Sequence, residues 1–141
     1  MIYIFADINS FSKEISRKRL FMLQYLGEQD DIELIFNNNF NKENIREDDT
    51  ILYFMIRTFS HPSVQFIIRM IQKTRDIDCK KFIYIEDFYE SEKIHQFCTK
   101  YKLKNIIYSM KHKVLKEKLL KKNPEYNISS LHHHFHLDMF P

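Results

Sequence analysis

The chain has 141 residues, 44% of them apolar and 15% aromatic, which is enough for one domain with a sizeable core and not a disordered segment. A net charge of +3 is too small to argue for nucleic-acid binding, and a single glycine, Gly27, excludes both the G-x-G-x-x-G turn and the P-loop. No apolar run approaches the ~18 residues of a membrane span, and the start lacks the basic stretch and small-residue cleavage site of a signal peptide.

Apolar runs rich in β-branched and aromatic residues alternate with helical stretches. Ile2-Tyr3-Ile4-Phe5-Ala6 is the first run and ends at Asp7. Ser12 caps a helix that stops near Gly27, the natural residue just past a helix end. Ile32-Glu33-Leu34-Ile35-Phe36 is the second run, followed by a polar loop over residues 37–49 with at most a short helix. Ile51-Leu52-Tyr53-Phe54-Met55-Ile56 is the third. Ser60-His61-Pro62 then opens a helix with Val64, Ile67, Ile68 and Ile71 on one face. Phe82-Ile83-Tyr84-Ile85 is the fourth run, and a helix over residues 90–102 buries Ile94, Phe97, Cys98 and Tyr101. Asn105-Ile106-Ile107-Tyr108 is the fifth, residues 111–122 form the last helix, and Asn127-Ile128-Ser129-Ser130-Leu131 is a weak sixth.

Most of these runs are continuously apolar instead of alternating, as strands covered on both faces are. The pattern predicts a single Rossmann-like α/β domain over residues 1–141, with a mostly parallel sheet of five or six strands and helices on both faces. Cys79 and Cys98 read as two buried thiols in a reducing compartment, so the expected location is the cytoplasm.

In such sheets a ligand sits at the carboxyl ends of the strands, near the point where strand order reverses. The residues delivered there are Asp7, Asn9 and Ser10 after the first strand, Arg57 after the third, and Glu86 and Asp87 after the fourth. His133 and His134 follow the sixth. Two carboxylates and an arginine on one rim suit a sugar or a phosphate, although acids at strand ends also cap helices. The run His132-His133-His134-Phe135-His136 suggests a metal, but adjacent side chains diverge and no cysteine is near, so no metal and no cofactor are expected. Six lysines fall among residues 111–122. Either they form a solvated face, or Lys113, Lys116 and Lys121 face an anionic membrane. No aromatic residues interleave with them, so nucleic acid is not an expected partner.

Three segments in order carry a family resemblance. Phe82-Ile83-Tyr84-Ile85-Glu86-Asp87-Phe88-Tyr89 resembles a strand ending in a His-Asp pair. Asn105-Ile106-Ile107-Tyr108-Ser109-Met110, with Val114 to Leu119, resembles the strand and helix that follow it. His133 to Pro141 resembles the segment leading into a second domain. Together they resemble the N-terminal, acceptor-side half of a GT-B glycosyltransferase of the large retaining family. Glu86 stands where that family has a histidine, His136 stands where it has a glycine, and the glycine-rich turn after the first strand has no counterpart.

The resemblance implies an acceptor-binding half for surface-glycan synthesis, inactive without a donor-binding domain or partner chain. It implies Asp87 and Glu86 as catalytic residues, and a sugar acceptor held by Asp7, Asn9 and Arg57 on the same rim. A fragment with its linker edge exposed would also self-associate as a homo-oligomer. The alternative from another class is a non-catalytic α/β module that uses this rim for a small acidic or phosphorylated ligand.

Overall fold

The computed structural model describes residues 1–7, 28–55, 64–86, 90–108 and 113–130. Six strands run through them: β1 (Ile2–Ala6), β2 (Ile32–Ile35), β3 (Thr50–Met55), β4 (Lys80–Ile85), β5 (Asn105–Tyr108) and β6 (Asn127–Ser130). They join in one sheet in the order β2-β1-β3-β4-β5-β6, and every neighbouring pair is parallel. Parallel neighbours need crossover connections, and the described ones are α1 (Val64–Lys73), α2 (Ser91–Tyr101) and α3 (Lys113–Lys122). Residues 37–49 hold only a single 3-10 turn at Lys42–Asn44, as their polar composition predicts.

From β3 onward each crossover steps in the same direction, so a common right-handed sense stacks α1, α2 and α3 on one face. The packing agrees. Tyr3, Phe5, Tyr53, Met55, Ile83, Ile85 and Ile106 form one core with Ile67 and Met70 of α1, Ile94 and Phe97 of α2, and Leu115 and Leu119 of α3. On the other face Ile4, Ala6, Phe54 and Tyr84 are buried, and the Phe54 and Tyr84 rings stack at 4.4 Å. The helix expected between Ser12 and Gly27, which would serve that second face, lies outside the described residues.

One polar pair sits inside the core. The Thr74 hydroxyl donates to the Met70 carbonyl at 2.7 Å, which leaves its oxygen to accept from the Tyr53 hydroxyl at 2.5 Å. Burial pushes the Tyr53 phenol up to about 12. Both residues are fully buried, so each needs the other.

Strand order reverses between β1 and β3, so a crevice is expected at the carboxyl ends of those strands. At the opposite end of the sheet, α2 stops at Lys102, which takes the left-handed conformation (φ 57°, ψ 44°) usually left to glycine.

Candidate functional sites at the two ends of the sheet

At the carboxyl end, Asp7 follows β1 and Glu86 follows β4, both half-buried and both engaged by neighbouring groups. The register pairs Ala6 with Phe54 and Met55 with Ile85, so the two carboxylates flank the end of β3. Two strand spacings separate them, about 10 Å between backbones. The topology thus brings Asp7 and Glu86 to one rim, as the apolar runs imply. Asn9, Ser10, Arg57, Asp87, His133 and His134 lie outside the described residues. No group of three or more metal-binding side chains occurs among the described residues.

Lys113, Lys116 and Lys121 are exposed on α3, while Leu115 and Leu119 face the core. Helical spacing puts Glu117 opposite that buried pair, between Lys113 and Lys121, so the outermost stripe is not purely basic. Val114 is the one large apolar side chain exposed on the helix. Lys122 is engaged by Glu92 of α2. Among the described residues no helix is long and apolar enough to cross a membrane.

The amino end of the sheet carries a feature that no motif in the sequence announces. A cleft of about 360 Å³ opens where β4 and β5 begin, between the 75–81 segment and the 102–105 segment. Arg75, Lys80, Lys81, Lys102 and Lys104 line it, against two carboxylates, Asp76 and Asp78. Both carboxylates are exposed. Asp76 pairs with Lys42 at 2.9 Å, and that hydrogen bond holds its carboxyl below the usual range. Lys104 reaches Glu125 at 2.9 Å. The Lys81 ammonium donates to the Arg75 carbonyl at 3.3 Å, and the Asn105 amide donates to the Lys81 carbonyl at 2.9 Å, tying the two walls together. A narrower recess of about 140 Å³ shares Arg75, Lys81 and Lys102 and continues to Tyr53, Tyr101 and Leu103.

Cys79 lies on the cleft wall, half-buried and free, and desolvation raises its thiol despite the nearby Lys81. Cys98 is buried, and burial pushes its thiol up to about 12. Both thiols are free, but of the two expected to be buried only Cys98 is; Cys79 sits just before β4 and stays half-exposed.

The cleft escapes a motif search because its cations come from two segments some 25 residues apart. The available signal is that basic residues cluster just before the fourth and fifth apolar runs, at Arg75, Lys80-Lys81, Lys102 and Lys104. Comparison with protein families, with curated proteins and with solved structures finds no match for this chain.

Proposed function

We propose that this domain is the acceptor-binding half of a glycosyltransferase of the GT-B kind, acting in surface-glycan synthesis and requiring a donor-binding half in the same polypeptide or in a partner chain. The observation that carries the reading is the pair Asp7 and Glu86 on the carboxyl rim of an all-parallel sheet, beside the point of strand-order reversal. The ordered likeness of the 82–89, 105–119 and 133–141 segments supports it from the sequence side. Carboxylates bind sugars well because each oxygen accepts hydrogen bonds from hydroxyls, and charge-assisted bonds of this kind exceed neutral ones. Asp7 would orient the acceptor. Glu86 and Asp87 would hold the attacking hydroxyl and take its proton as the new bond forms.

The work would take place in the cytoplasm, at the inner face of a membrane. Lys113, Lys116 and Lys121 would supply the attraction, at about 1 kcal/mol per lysine near an anionic surface. Three such residues, with Glu117 among them, give transient and salt-sensitive association instead of anchoring.

The test is binding of neutral oligosaccharides to the chain, followed by turnover of the enzyme completed with its donor half. Glu86→Gln and Asp87→Asn should each lower turnover by roughly tenfold or more while the fold persists. Unchanged turnover in both variants removes the carboxylates from the site and with them the reading.

A further inference from the structure

We propose that the amino end of the sheet is a second binding site, a cleft for a small phosphorylated ligand that carries a ring. The inference is independent of the glycosyltransferase reading and concerns the opposite edge of the molecule.

The space is of the right size. About 360 Å³ lies at the lower end of the range for small-molecule sites, and the adjoining recess adds about 140 Å³. The charge favours an anion. Five cations and two carboxylates line the cleft, and ion pairs draw Asp76 toward Lys42 and Lys104 toward Glu125. Arg75, Lys81 and Lys102 line both cavities, so an anionic group between them would meet three donors at once. Arginine suits this because its planar fork can grip two phosphate oxygens together.

The composition of the recess points to the rest of the ligand. Beside the cations its lining is apolar and aromatic, with the half-buried Tyr101 offering a ring and Ile71, Leu103 and Tyr53 buried next to it. A phosphate held at the mouth would direct an attached ring onto that wall, where a bare phosphate has nothing to contact. The expected class is therefore a phosphomonoester of a cyclic compound and not inorganic phosphate.

Lys102 offers a separate handle. Its left-handed backbone would be more comfortable as glycine, yet the side chain there is a cation on the shared wall of both cavities. Lys102→Gly should therefore stabilise the fold and weaken the ligand, a combination that general damage to the protein does not produce.

The test titrates the chain with inorganic phosphate and with phenyl phosphate at fixed ionic strength, read by calorimetry. Phenyl phosphate should bind at least roughly threefold more tightly than phosphate. Arg75→Gln combined with Lys102→Gln should weaken it by about tenfold or more, with the melting temperature little changed. The charge-matched control Arg69→Gln with Lys118→Gln, both exposed and neither lining the cleft or the recess, should change it less than about twofold. Equal weakening by the two double variants would reduce the effect to overall charge and overturn the site. Phenyl phosphate no tighter than phosphate would overturn it as well. Binding of phosphatidic-acid vesicles without binding of phenyl phosphate would assign this edge to a membrane and overturn the small-molecule site.

Discussion

At its carboxyl end the described sheet presents Asp7 and Glu86, and at its amino end it presents Arg75, Lys81, Lys102 and Lys104. One element of this contrast follows from the fold alone. In a parallel sheet with crossover helices, helix N-termini gather at the carboxyl end and helix C-termini at the amino end. Acids are favoured beside the first and bases beside the second by the helix dipole. Arg75 comes two residues after α1 and Lys102 directly after α2, so part of their placement is explained without any ligand. What the dipole does not explain is space. The amino end has a cleft whose cations converge on a shared wall and a recess with an aromatic side, and charge sorting requires neither. Sign of charge alone is therefore a poor guide to a site in this architecture, and converging geometry is the better one.

The contrast supposes one scaffold beneath both ends, and the largest expected effect is on that scaffold. Ile83 is fully buried in the middle of β4, so Ile83→Ala should cost about 2–5 kcal/mol by chemical denaturation. Sugar and phosphate binding should fall together as the folded fraction falls. Loss of one with the other intact would mean that the two ends fold as separate units.

Alkaline pH should also break the scaffold. Tyr53 and Cys98 are each held protonated by burial up to about 12. A folded pKa raised above the unfolded one gives stability that is full below the unfolded value and lost as pH rises through the folded value. The melting temperature should accordingly be flat to about pH 9 and fall between about 9 and 12. Phenyl phosphate binding should decline over the same interval as the folded fraction falls. A melting temperature that stays flat to pH 12 would contradict the burial of both groups.

The buried hydroxyl pair gives an asymmetric test. Thr74→Val leaves the Tyr53 hydroxyl without an acceptor and should cost about 1–3 kcal/mol. Tyr53→Phe leaves Thr74 bonded to Met70 and should cost about 1 kcal/mol. A reversed order would mean that Tyr53, and not Thr74, supplies the acceptor.

The sheet was almost wholly legible in the chain. β1 and β5 match their apolar runs residue for residue; among the described residues β2 stops one residue short of its run, and β3 and β4 begin one and two residues before theirs. The reason is physical. A strand buried on both faces has to be apolar at every position, so its limits are written in composition. β4 begins earlier than its apolar run because Lys80 and Lys81 belong to the ladder while their ammonium groups stay at the edge, with Lys80 over the Phe82 ring. The carboxyl rim was legible for the same reason, since the residue after each run had to fall there. The amino-end cleft was not, because it is formed by tertiary proximity of the 75–81 and 102–105 segments and each segment alone looks like an ordinary solvated strand start.

The smaller effects separate helix-end roles from ligand roles. Lys102→Gly should raise stability by about 1 kcal/mol by relieving the left-handed backbone. Lys104→Gln should leave the melting temperature unchanged within error, because its partner Glu125 is exposed and surface pairs of this kind contribute little. A clear loss of stability in Lys104→Gln would show that the pair holds β5 and β6 together and belongs to the scaffold.

The central claim is that the two ends of one sheet serve chemically different ligands. Backbone amide shifts of the labelled chain, followed on separate addition of a neutral oligosaccharide and of phenyl phosphate, test it most directly. The sugar should move the amides of Asp7 and Glu86, and the phosphate those of Arg75, Lys81, Lys102 and Leu103. Overlapping sets of shifted residues, or phosphate shifts confined to the lysines of α3, would contradict it.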